Sequence, residues 1–113
     1  MRFMFCLFIT IMEINKDFLN QLFEQAKANP RLRQNLDLRT SAADNSQRML
    51  NALLPGTIVP IHRHPHSTEN VFLLCGKIVE VICDENGNET KRIELDPAIG
   101  NYGCVVPKGA WHT

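Results

Sequence analysis

The sequence has no long hydrophobic run. Its longest, residues 3–12, is apolar except for Thr10, about half of what an α-helix needs to cross a bilayer. Arg2 ahead of it gives the run the look of a weak signal-peptide core. No small-residue cleavage site follows, since Met12-Glu13-Ile14-Asn15 comes next, so an export signal is not expected. Two readings of the run remain: an extra strand packed on the domain, or an upstream extension with the true start at Met12. The second is preferred, because the pattern after Met12 reads as a complete domain beginning.

A charge surplus is missing too. The 12 basic and 12 acidic residues cancel, which argues against a nucleic-acid or anionic-membrane partner. Four cysteines, Cys6, Cys75, Cys83 and Cys104, include no Cys-x-x-Cys, so zinc ribbons and redox pairs have no support. Three of the four fall in apolar, strand-like runs, where a small buried thiol is the ordinary explanation. Sparse cysteine without an export signal places the chain in a reducing cytoplasm. Internal repeats and low-complexity tracts are absent, and 113 residues suffice for one domain with a modest core.

What is present reads mainly as short strands. Over residues 15–29 Phe18, Leu19, Leu22, Phe23 and Ala26 recur at helical spacing, with Asn15 as cap and Pro30 as the stop. Residues 31–39 alternate like a strand with one wet face carrying Arg31, Arg33 and Arg39. A solvated, salt-bridged edge is the ordinary reading of those arginines; an anion contact for a phosphorylated or acidic ligand is the sharper one. Residues 47–54, carrying Arg48, lead as a strand into the Pro55-Gly56 turn. Residues 77–83 and 89–95 form a hairpin about the Asn86-Gly87 pair, and 102–106 make a further strand. Short strands punctuated by Gly, Pro and Asn indicate an all-β sandwich or barrel. The expected organisation is an extension over 1–12, a helix and first strand over 13–46, and a barrel over 47–113.

Three of the four histidines, His62, His64 and His66, fall within five residues. On an extended strand His62 and His64 project from one side, about 6.6 Å apart, and can converge on one ion. Pro65 ends such a strand, leaving His66 in a turn as a solvated or outer group. If residues 70–75 run back beside it, Glu69 faces the same side. His112 follows Pro107-Lys108-Gly109-Ala110-Trp111. Proline at the second position and glycine at the fourth suit a type I reversal that starts a new strand at His112. Three imidazoles and a carboxylate suit a divalent transition metal with open positions.

The spacing Gly56, His62, His64, Glu69, Gly76 resembles the first motif of the cupins, and Pro107, Gly109, His112 resembles the core of the second, with Asn101 where that motif has glycine. The resemblance implies a mainly β, cupin-like jelly-roll barrel with one N-terminal helix, and His62, His64, Glu69 and His112 as ligands of one divalent metal: Fe, Mn, Zn or Ni. The helix, Pro30-Arg31-Leu32-Arg33, Asn35 and Gln47-Arg48 narrow the resemblance to the WbuC-type cupin metalloproteins over about 12–113. Members of that group usually have histidine near the position of Arg39. The group is associated with O-antigen and surface-polysaccharide biosynthesis.

Cupin barrels continue past the second-motif histidine, whereas this sequence stops at Thr113. The expectation is a C-terminally truncated, incomplete barrel whose isolated chain is marginal, aggregation-prone, or completed by pairing with another copy as a homodimer. Three functions stay open. One is Lewis-acid chemistry on a small carbohydrate or nucleotide-sugar-related ligand, with the general base unidentified and Tyr102 and His66 as candidates for it. Another is a non-catalytic metal or ligand-binding module. The third is oxygen activation at ferrous iron.

Overall fold

Asn15 starts the only long helix among the described residues. The computed structural model describes residues 11–113; the apolar run preceding residue 11, Cys6 included, lies outside them. The Asn15 side-chain oxygen accepts from the Phe18 amide at 2.9 Å, satisfying one of the helix's orphan donors. Helix α1 covers Lys16–Ala28, with Asp17 in its first turn and Lys27 in its last, both placed to suit the helix dipole. It ends at Asn29, whose backbone is extended ahead of Pro30.

The chain divides into two compact units, Met1–Ile58 and Val59–Thr113. In the first, β1 (Arg33–Asp37) pairs antiparallel with β2 (Met49–Leu53). The register Gln34↔Ala52 and Leu36↔Leu50 puts Ala52, Leu36 and Leu50 on the face that meets the helix. There they pack with Leu22, Ala26, Phe23 and Leu54. The opposite face carries the pairs Arg33↔Leu53, Asn35↔Asn51 and Asp37↔Met49. The division therefore puts β2 with the helix, while the expected barrel began at residue 47.

The second unit holds β3 (Glu69–Phe72), β4 (Ile78–Cys83), β5 (Glu89–Leu95), β6 (Gly103–Val106) and β7 (Trp111–His112). They form a two-stranded sheet, β3-β6, and a three-stranded sheet, β5-β4-β7, all antiparallel. Leu95 and Val106 are its largest fully buried side chains. The chain is thus mainly β with one N-terminal helix, and no sheet closes into a barrel among the described residues. No described helix is long and apolar enough to cross a membrane.

The β4-β5 hairpin forms as expected, with residues 84–88 as its loop. There Asp84 accepts the amides of Asn86 and Asn88 on one carboxylate oxygen, and Gly87 takes positive φ, +82°. Two local expectations are corrected. The reversal before His112 is one residue later than expected: the Ala110 amide bonds the Pro107 carbonyl at 3.1 Å, leaving Lys108 and Gly109 central. Gly109 has φ +83°, which a side chain would resist. Second, the 70–75 segment does not pair with the histidine segment; β3 pairs with β6, and the stretch before His62 is not a continuous strand.

Candidate metal centre

His62 and His112 are brought together by the backbone. Each donates its amide to the other's carbonyl, at 2.9 and 2.8 Å, an isolated antiparallel bridge. Residues directly opposite in such a pair project to the same side. The Gly109 amide bonds the His64 carbonyl at 2.9 Å, fixing the other end of the segment, and Glu69 is the first residue of β3. These constraints place the imidazole centroids of His62 and His112 4.3 Å apart, with His64 at 5.1 and 5.5 Å from them. One Glu69 oxygen, Oε2, stands 3.0 Å from His64 Nε2 and 3.1 Å from His112 Nε2.

All four expected ligands therefore meet, with one donor atom from each within 4.8 Å of the others. At about 2.0–2.2 Å per bond, donors on opposite sides of an ion lie about 4.4 Å apart and adjacent ones closer, so the widest separations must contract on loading. The group could hold a metal ion. It is asymmetric: the His112 side chain is 3 % exposed and His64 45 %, giving a buried floor and a rim open to solvent.

The ring nitrogens are already oriented. His62 Nδ1 lies 2.8 Å from the Pro60 carbonyl and His112 Nδ1 lies 3.1 Å from the Ala110 carbonyl. A carbonyl only accepts, so each Nδ1 carries a proton and directs the Nε2 lone pair of the neutral ring elsewhere. At His112 that direction is towards Glu69.

The sequence reading missed Glu80. It lies on β4, buried, with Oε1 3.9 Å from His112 Nε2. Burial pushes its carboxyl up; His112 pulls it back, Glu69 pushes it further up and His62 opposes, for a net rise. Cys104 faces the same region from β6. Its thiol is also pushed up, by burial and then by Glu80 and Glu69. Cys83 is buried and Cys75 exposed, so the buried-thiol reading fits Cys83 and fails for Cys75.

The other singled-out residues do not join the cluster. His66 and Tyr102 are exposed and make no side-chain hydrogen bond to it among the described residues. Arg48 bonds the Leu38 and Ser46 carbonyls and Asp44, and Arg39 grips Asp37 through Nε and a terminal nitrogen.

Fold and cluster together describe a small, mainly β protein with a three-histidine, one-carboxylate group that could take an ion. The chain belongs to a family described as a domain of unknown function, DUF6016, whose sequence pattern matches residues 14–95. That span includes His62, His64, Glu69 and Glu80 and stops short of His112. No curated protein and no solved structure matches the chain.

Proposed function

We propose that the second unit is a mononuclear metal centre of the cupin type, an open relative of the WbuC jelly roll, in which His62, His64, Glu69 and His112 hold one divalent transition ion, Fe, Mn, Zn or Ni. Its ligand is a small carbohydrate or nucleotide-sugar-related molecule, of the kind handled in surface-polysaccharide biosynthesis. The observation that carries the metal assignment is the contact between His112 Nε2 and Glu69 Oε2 at 3.1 Å. With Nδ1 committed to Ala110, a neutral His112 presents a lone pair to a carboxylate oxygen. Two acceptors at that distance repel unless a proton or a cation lies among them, and three such nitrogens with one carboxylate are a transition-metal donor set.

The bound ion would supply a Lewis acid for a carbonyl or hydroxyl oxygen. The protein's own contribution is orientation. The Pro60 and Ala110 carbonyls hold two imidazoles in the ligating tautomer, as outer partners of metal-bound histidines do. The exposed His64 and half-buried Glu69 leave a side open to a ligand. A non-catalytic binding module is the second reading. It is favoured by the exposure of His66 and Tyr102, the two candidate bases, neither of which hydrogen-bonds to the cluster.

Elemental analysis of the purified chain beside His62→Ala tests the centre. Near-stoichiometric transition metal that is lost in the variant is expected, and metal-free folded protein after growth with each of the four ions would refute it. For the metal-loaded chain, UDP-glucose bound and converted supports the reactive reading. Binding without conversion supports the module, and dioxygen consumption with Fe(II) would replace both by oxygenase chemistry.

A further inference from the structure

The first unit contains a polar cleft of about 300 Å³, lined by Asn29, Arg31, Arg33, Gln34, Asn35 and Asn51. Two features separate it from an ordinary wet surface. The first is uncompensated charge. Among the described arginines, Arg39, Arg48 and Arg92 pair with Asp37, Asp44 and Glu89, and Arg63 lies over the Trp111 ring at 4.8 Å. Arg31 and Arg33 have no carboxylate partner and donate no side-chain hydrogen bond among the described residues, and no acidic side chain lines the cleft. Two guanidiniums converging on one concavity repel each other unless an anion joins them.

The second feature is the amides beside them. Asn35 and Asn51 are cross-strand partners on the face turned away from the helix, and neither side-chain amide is used within the protein among the described residues. Each offers both donors and an acceptor, which suits hydroxyl groups. Gln34 is partly spent on the Asn35 carbonyl, and Asn29 on the Arg31 amide.

The backbone holds the two arginines in place. Leu32, between them, has φ +56°, the single positive value at a non-glycine described residue. That conformation is costly for a leucine. It is held by the Leu32 amide on the Asn29 carbonyl at 2.9 Å, and by the Leu32 carbonyl, which accepts from the Leu54 amide at 3.0 Å. The Thr57 hydroxyl approaches the same carbonyl at 2.8 Å. The left-handed residue turns the chain between Arg31 and Arg33, and both side chains line one cleft.

We propose that this cleft binds a phosphorylated, hydroxyl-bearing small molecule, with its phosphate on Arg31 and Arg33 and its hydroxyls on Asn35 and Asn51. Guanidinium forks match phosphate oxygens in pairs, and the volume falls at the small end of ligand pockets. The cancelling charges of the whole chain favour a small anion over a nucleic-acid strand, which needs a more extended basic track.

Calorimetric titration of the full chain in EDTA, which removes any dependence on the metal centre, tests the assignment. The probes are glucose 1-phosphate, inorganic pyrophosphate and glucose. Glucose 1-phosphate is expected to bind at low salt, with affinity falling about tenfold or more in Arg31→Ala and in Arg33→Ala. It should fall in Arg33→Lys as well, because the fork is lost while the charge stays. Asn51→Ala should weaken glucose 1-phosphate but leave pyrophosphate unchanged, and Lys91→Ala, in the other unit, should change neither. Absence of binding by both phosphates, or binding unaltered in the arginine variants, overturns the proposal. So does capture of a mixed-sequence oligonucleotide without either phosphate.

Discussion

Metal addition should stabilise the second unit by an amount that can be read at a single fluorophore. The chain's one tryptophan, Trp111, precedes the ligand His112 on β7 and lies opposite Cys83 of β4. Its emission therefore reports on the strand that carries the buried ligand. An ion that binds only the folded state at 100 times its dissociation constant stabilises by about 2.7 kcal/mol. At about 4–8 °C per kcal/mol for a domain of this size, the Trp111 melting transition should rise roughly 10–20 °C. Glu69→Gln keeps the side chain's shape but removes the cluster's one anionic donor. If it weakens binding about 100-fold, the same metal concentration is worth only about 0.4 kcal/mol, a rise of about 2–3 °C. The quantity compared is the shift on adding metal, so any change in the variant's own stability drops out. A Trp111 transition that does not move in saturating metal, or that moves equally in wild type and Glu69→Gln, would refute the reasoning.

Glu80 should make metal-free stability depend on pH. Its carboxyl titrates higher in the folded chain than in the unfolded one, so its contribution is full below the unfolded value and is lost as pH rises through the folded value. In EDTA, Glu80→Gln should therefore be more stable than wild type at pH 7, with that advantage shrinking at pH 4; urea denaturation that finds no such difference between the two pH values would remove Glu80 from the account. Gly103→Ala tests the β3-β6 sheet. An added Cβ would collide with the Val71 backbone carbonyl and meet Phe72 Cδ1 at 2.9 Å, and backbone cannot step aside as a side chain can. A loss of about 1–3 kcal/mol is expected, with weakened metal retention because β3 carries Glu69; an unchanged melting temperature would mean the strands are not paired in this register.

The parts written locally were the legible ones. Asn15, the 3.6-residue spacing behind it and Pro30 each act within a few residues, and they place α1 to within a residue at its ends. The β4-β5 hairpin was legible for the same reason, since its strands are joined by one short loop. Long-range pairing was not: alternation shows that residues 70–75 contain a strand, but nothing in it distinguishes a partner at His62 from one at Val106. The ligand set was readable despite that error, because residue type and spacing mark the four donors whichever strands carry them. Glu80 was not legible because a carboxylate on a strand ordinarily faces solvent. In Ile-Val-Glu-Val-Ile-Cys, Glu80 shares a face with Ile78 and Ile82, and it is buried while Val79 is exposed. Arg31 and Arg33 were grouped with Arg39 by alternation. What separates them is that Asp37 engages Arg39 alone, a pairing the strand pattern does not encode.

The reciprocal bridge between His62 and His112 also has a kinetic consequence. His62 and His112 are separated by about 50 residues, and closing a loop of that length costs on the order of 3 kcal/mol of chain entropy before any contact is rewarded. The two-residue β7 offers few bonds to offset that cost, so the closure belongs late in folding, after the local β4-β5 hairpin has formed. The bridge that closes the loop also aligns two of the four donors. An ion captured there would act as a latch on the last closure, and its escape would be timed by the unzipping of β7.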